Sequence, residues 1–208
     1  MNKSLIDFDG VVYNNRKTFE HINAKSIQYI SQRLQIPHHQ ASRLNAINYK
    51  KRGHTVFATS TPIDDYNDYV FDTHMLTDVL YNVYNEEDTV RLRNLMKRKE
   101  LLNLDLILCT NAPLRYCIRV LELSGFTFHD VFSSEICFTS DSVNDVKPSL
   151  DFFNHVHFEI EKNGFTNEGI RFYDDSMLNI NMMHENMSQW KPVLFDSSDE
   201  TFQSFTLD

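Results

Sequence analysis

Two aspartates separated by one residue, Asp7 and Asp9 in the stretch SLIDFDGVVYN, close a short apolar run. In a strand alternate side chains share a face, so the two carboxylates would point the same way and Phe8 the other. At about 6 Å and an effective dielectric near 20, their repulsion is on the order of 3 kcal/mol, which a cation or a proton must relieve. Such a pair asks for a metal or a reaction. Three more polar elements stand where apolar runs end: LCTNA at 108–112, DVKPS at 145–149 and FYDDS at 172–176. They offer a hydroxyl at Thr110, an amide at Asn111, an ammonium at Lys147 and a second carboxylate pair, Asp174 and Asp175.

Other chemistry is weakly represented. Cys109, Cys117 and Cys137 are odd in number and form no CxxC pair, which fits neither a disulfide framework nor a zinc site. The histidine pairs His38/His39 and His155/His157 lack partners at metal-ligand spacing, and none of the five glycines lies in a phosphate-cradling GxGxxG or GxxxxGK[ST] loop. A net charge of −9 argues against a nucleic-acid polymer or an anionic membrane as the main partner, while leaving room for a small anion in a local basic pocket. No apolar stretch reaches the length of a membrane span, and MNKS leads into a strand-like run without a signal-peptide pattern. The expectation is a soluble, cytoplasmic protein.

The elements that must position these groups alternate. SLIDF, LDLILCT, DVFSSEICF, IRFYDD and KPVLFD read as strands. Helical periodicity fills PLRYCIRVLELSGF up to Gly125, KPSLDFFNHVHFEIEKNG from Pro148 to Gly164, and DDSMLNINMMHENM with its acidic start. That order predicts an α/β fold, a doubly wound, mostly parallel Rossmann-like sheet. Residues 16–88 break the alternation with three helical stretches, KTFEHINAKSIQYISQRL, PHHQASRLNAINYKKRG and DDYNDYVFDTHMLTDVLYNVY. The expected organisation is a core of 1–15 and 89–208 with an all-helical cap, 16–88, inserted after the first strand to act as a lid. In an open parallel sheet the carboxyl ends of the strands form the ligand crevice, so the four polar elements would converge there.

Taken in order, these four elements resemble the motifs of the haloacid dehalogenase (HAD) superfamily of phosphotransferases: the DxD of Asp7 and Asp9, Thr110 closing a strand, Lys147 before a helix, and the pair Asp174-Asp175. Within it, YKKRGHTV, TNAPLRYCIRVLELSGF, KPSLDFF and FYDDSMLNI are similar to the pyrimidine 5′-nucleotidase-like branch, although Val11-Val12 stands where Thr-Leu is more usual and the cap beyond Gly53 matches poorly. The resemblance implies a Mg²⁺-dependent phosphomonoesterase. Asp7 would be the nucleophile that forms an aspartyl-phosphate, and Asp9 the acid that protonates the leaving oxygen and then the base that activates water. Mg²⁺ would be held by Asp7, the backbone carbonyl of Asp9, and Asp175, with Asp174 nearby and Asn179 one turn later. Thr110 and the backbone around Asn111 would bind the phosphoryl oxygens, and Lys147 would neutralise Asp7 and the phosphate. Tyr49, Lys50, Arg52 and His54 are the cap candidates for contact with the leaving group.

Singly, each fragment has a plainer reading: Asp7 and Asp9 as strand-end turn residues, Asp175 as a helix cap, Thr110-Asn111 as a turn, Lys147 as a solvated side chain. The expected partner is a small phosphorylated metabolite, first a nucleoside 5′-monophosphate and otherwise a sugar phosphate or another organophosphate. A phospho-ligand binding protein without turnover is the reading from another class. Oligomeric state is not legible in the sequence.

Overall fold

The computed structural model describes residues 2–132, 136–143 and 145–206. The chain opens with β1 (Asn2–Ile6) and then runs through α1 (Arg16–Leu34), α2 (His38–Arg52), a 3-10 turn (Thr55–Ala58), α3 (Ile63–Val70), a π turn (Met75–Val79) and α4 (Leu80–Val83). It continues with α5 (Glu86–Leu102), β2 (Leu104–Leu108), α6 (Leu114–Leu123), α7 (Phe128–Val131), α8 (Ser140–Val143), α9 (Leu150–Lys162), β3 (Arg171–Asp174), α10 (Met177–Asn186) and β4 (Lys191–Leu194). Two compact units result, one of Met1–Asn14 with Asn85–Asp208 and one of Asn15–Tyr84. The return into the first unit falls at Asn85, whose side chain and that of Asp88 form a capping box that opens α5. Among the described residues no helix is long and apolar enough to cross a membrane.

The first unit is a four-stranded parallel sheet in the order β2-β1-β3-β4. Leu5 sits opposite Ile107 on one side and Phe172 on the other, so these three side chains share a face. That face packs on Phe152, Phe153, Val156 and Ile160 of α9 and on Ile180 and Met183 of α10 in a core sealed by Trp190. On the opposite face the Tyr173 ring stacks on Phe205 at 4.0 Å, and Arg98 of α5 donates to the Phe205 carbonyl. Because helices cover the sheet, β2 is buried along its whole length and reads as the unbroken apolar run LDLIL.

Two expected elements differ. DVFSSEICF is not a strand over its described residues: Thr127 and Asp130 cap each other and start the helical turn α7, and only Phe138 joins the sheet, through an isolated parallel bridge to Cys109. Residues 133–135 of that segment lie outside the described residues. The helix expected from Pro148 starts instead at Leu150, where the Ser149 side chain accepts from the amides of Asp151 and Phe152. The long segment 86–102 forms a helix that its dense charge concealed.

The second unit is wholly helical, with a small apolar centre of Ile27, Ile30 and Ala41. Much of its interior is polar and paired: Ser26 Oγ lies 2.7 Å from Tyr66 Oη, Asn45 donates to Asn23 at 2.9 Å, and Thr55 donates to Asn45 at 2.8 Å. His54 is buried, its Nδ1 accepting from the Val56 amide at 3.1 Å and its ring edge-on to Tyr66.

Burial pushes the His54 imidazole down to about 4. The unfolded chain therefore takes up this proton near pH 6.5, before the folded chain does, and stability rises with pH across that window. The His54 contribution is complete above pH 6.5 and is lost as pH falls toward 4, at most about 3 kcal/mol. His54→Asn keeps an acceptor for Val56 and removes the titration. Urea unfolding at pH 4.5 and 7.5 should show the unsubstituted protein losing about 2 kcal/mol more than the variant on acidification, and equal losses would rule the assignment out.

Candidate active site

Asp7 follows the last residue of β1, where its amide donates to the Tyr173 carbonyl at 2.9 Å and so extends the ladder toward β3. Its Oδ1 accepts from the Phe8 amide at 2.7 Å and lies 3.0 Å from Lys147 Nζ. The Lys147 side chain is only 1 % exposed. Besides Asp7, its ammonium meets Asp174 Oδ2 at 2.6 Å and the Cys109 carbonyl at 2.9 Å. Asn111 fixes the backbone beneath that ammonium, donating to the Lys147 carbonyl at 2.9 Å and accepting from the Lys147 amide at 2.6 Å.

Asp174 is fully buried at the end of β3 and accepts from Lys147, from the Ser176 amide at 2.8 Å and from Asn179 Nδ2 at 2.9 Å to each oxygen. Asp175 is exposed, and one oxygen each of Asp7, Asp174 and Asp175 come within 4.8 Å of one another. Room for Asp175 is made by Gly10, where a Cβ would lie 2.0 Å from Asp175 Oδ2 and where φ is +80°, a region that favours glycine. The Asp9 side chain stands apart from this trio and accepts from Tyr116 Oη at 2.9 Å.

The charges are held under tension. Burial alone would lower the Lys147 ammonium, but the Asp174 and Asp7 carboxylates outweigh it and hold the group above its ordinary value. Burial pushes Asp174 up to about 6 against the pull of Lys147, so the pair is ionic at neutral pH. Although the Asp175 residue as a whole remains exposed, partial desolvation at its carboxyl group, then Asp7 and Asp174, push it up to about 7. Asp9 is pushed up to about 8, by burial first and by Asp7 second, while the Tyr116 hydrogen bond pulls it down. With Asp9 neutral and Asp175 close to half-protonated at neutral pH, the three carboxyl groups carry more negative charge than the one ammonium compensates.

The structure gathers Asp7, Asp9, Thr110, Asn111, Lys147, Asp174 and Asp175 in the first unit. Thr110 is buried after β2, its amide donating to Phe138 and its Oγ1 accepting from Ala112. The Asn111 side chain is spent on the Lys147 backbone, so its work is positional. Arg52 and His54 belong to the helical unit, where Arg52 lies over the Phe57 ring at 4.6 Å and His54 is buried. Gly10 and Tyr116 are site residues that the motif pattern does not reveal. The only sequence trace of Gly10 is its place directly after the DxD, and Tyr116 leaves none.

Comparison with solved structures places this arrangement in a known architecture. A HAD-family enzyme of Bacteroides thetaiotaomicron, solved in complex with magnesium and inorganic phosphate, superposes with a TM-score of 0.54 at 16 % identity over 99 % of this chain and 100 % of that one. A HAD phosphatase from Thermococcus onnurineus gives 0.55 at 18 % identity over 90 % and 83 % of the two chains. The fold is that of the HAD hydrolases. No protein-family model matches the chain, and no curated protein sequence matches it. At such low identity the HAD likeness rests on shape, not on shared sequence.

In this HAD fold Lys147 is the only buried cation at the acidic trio among the described residues. Removing one partner of a buried ion pair leaves an uncompensated charge and costs about 3–5 kcal/mol. Lys147→Met should lower the unfolding free energy by that amount in urea titrations at pH 7.5. A loss below about 1 kcal/mol, the scale of an exposed pair, would show that the ammonium is not the keystone of the cluster.

Proposed function

We propose that this protein is a Mg²⁺-dependent phosphomonoesterase of the HAD type, working through an aspartyl-phosphate at Asp7, with a nucleoside 5′-monophosphate as substrate. The supporting observation is the buried Lys147 ammonium shared by Asp7 and Asp174 beside a third carboxylate, Asp175. Carboxylate oxygens carrying more negative charge than one ammonium compensates suit a hard divalent cation. Asp7 and Asp175 would hold it with the Asp9 backbone carbonyl. Asp174, whose oxygens already accept from Lys147, Asn179 and Ser176, orients its neighbours instead. When bound, the ion supplies charge compensation between the phosphate and Asp7. The magnesium and phosphate bound to the B. thetaiotaomicron enzyme agree with this reading.

Phe8 and Lys147 occupy Oδ1 of Asp7, so Oδ2 is the oxygen placed to attack phosphorus. As that bond forms, the bond from phosphorus to the leaving oxygen breaks, and neutral Asp9 gives the leaving oxygen its proton. Asp9, now a carboxylate, takes a proton from water as the water oxygen attacks phosphorus, which releases inorganic phosphate and restores Asp7. Lys147 offsets charge on Asp7 throughout, and the Thr110 hydroxyl donates to a phosphoryl oxygen.

The wild-type protein should hydrolyse nucleoside monophosphates ahead of sugar phosphates in a panel run with and without Mg²⁺, and Asp7→Asn should fold yet lose on the order of 10³-fold or more in kcat/KM. Mg²⁺-dependent turnover surviving in Asp7→Asn would refute the nucleophile assignment; a preference for sugar phosphates would move the substrate class alone. Because the Tyr116 hydrogen bond lowers Asp9, Tyr116→Phe should raise it. The alkaline fall in kcat/KM then moves to higher pH, and a limb that stays in place or moves to lower pH contradicts Asp9 as the acid.

A further inference from the structure

Arg91 of α5 is 6 % exposed and, among the described residues, forms no ion pair. Glu200, Asp199, Asp175 and Asp88 act on it only from beyond ion-pair distance, and a buried cation with no carboxylate in contact is costly unless other groups take up its donors. Here they are carbonyls: Nε and Nη2 donate to Val11 O at 3.0 and 2.7 Å, Nη2 also reaches Gly10 O at 3.3 Å, and Nη1 donates to Ser197 O at 3.1 Å. The guanidinium carbon lies 5.7 Å from the Phe195 ring centre and 5.2 Å from that of Phe202.

The two inner carbonyls are not arbitrary. Residues 8–13 form a tight turn closed by Gly10 N to Tyr13 O at 2.8 Å, Val12 N to Phe8 O at 2.8 Å and Tyr13 N to Phe8 O at 2.9 Å. Those bonds use the Phe8 and Tyr13 carbonyls, and two of the four carbonyls between them, those of Gly10 and Val11 at the apex of the turn, are taken by Arg91. The same turn carries Asp9 and the glycine against which Asp175 rests. The outer carbonyl belongs to the C-terminal segment, itself fixed by Asp199, which accepts from the Gln203 and Ser204 amides, and by Arg98 to Phe205 O and Arg171 to Thr206 O.

We infer that Arg91 is the positioning residue of the turn that carries Asp9, with the C-terminal segment as its outer support. It touches neither substrate nor reacting atoms; it acts by holding Gly10 and Val11. The inference rests on the phosphatase reading only for its effect on turnover.

Lysine keeps the charge but offers one ammonium on a flexible stem, which cannot span three carbonyls in the fixed fork of a guanidinium. Arg91→Lys should therefore lower kcat by about tenfold or more with KM within about twofold. Amide exchange at Gly10 and Tyr13 should quicken while Leu106 and Ile107 in β2 keep their rates. Methylguanidinium should restore part of the turnover of Arg91→Ala. Unchanged kcat with unchanged exchange overturns the inference, as does exchange that quickens equally in β2, which would mean general loosening. If Arg91→Lys does not fold, Phe202→Leu, which removes one ring beside the guanidinium and keeps the guanidinium itself, should show the same two changes at smaller size, and no change in either is equally fatal. A wild-type protein that hydrolyses no phosphomonoester sinks the phosphatase reading and leaves the exchange measurement to decide the role of Arg91.

Discussion

One ammonium governs the candidate site. Lys147 arrives from the loop before α9, is shut away from water, and meets carboxylates from the ends of two adjacent strands, Asp7 after β1 and Asp174 at the end of β3. Coulomb attraction in a poorly screened interior is strong only when geometry is tight, and the tightness comes from elsewhere. Asn111 grips the Lys147 backbone, Asn179 and Ser176 saturate Asp174, and the parallel register sets the spacing of the two strand ends. The sheet and its loops thus serve to hold one positive charge where two negative ones must meet.

The remaining negative charge is left in tension by the same design. Asp175 and Asp9 are both held toward their neutral forms, yet for different reasons and in different places. Asp175 faces Asp7 and Asp174 across the cluster, whereas Asp9 is turned toward the phenol of Tyr116. Environments that separate two acids in this way allow one to keep a proton while the other serves a cation.

The candidate groups were legible in the sequence because polar and charged residues stand out where short apolar runs end: aspartates at strand ends, a lysine before a helix, a threonine closing β2. The strands β1 to β4 were legible too: β2 as an unbroken apolar run buried along its length, and β1, β3 and β4 as short segments with an apolar pair, Leu5-Ile6, Phe172-Tyr173 and Val193-Leu194. What stayed hidden shares a physical cause. Gly10, Tyr116 and Arg91 act on partners distant in sequence or on backbone carbonyls, and neither relation leaves a local pattern. α5 escaped because only Leu92, Leu95 and a few other side chains of a strongly charged helix reach the interior. The segment at 130–138 misled because its aromatic, β-branched composition suits a strand, while the Thr127–Asp130 box decides its start. Asn111 and His54 were legible as polar residues near the motifs, but the one steadies Lys147 and the other lies inside the insert.

The order of the sheet bears on how the chain reaches this state. β1 is central, yet its partners are remote: the Lys3–Asp105 ion pair beside the β1–β2 ladder closes a loop of 102 residues, and β3 lies further still. Closing such loops is an entropic barrier that precedes any reward from pairing. The contacts internal to the insert span at most the 70 residues of Asn15–Tyr84, a shorter closure than either neighbour of β1 requires. The entropic cost of the sheet is therefore set by the long β1–β2 and β1–β3 closures, and the helical unit lies wholly inside both of those loops.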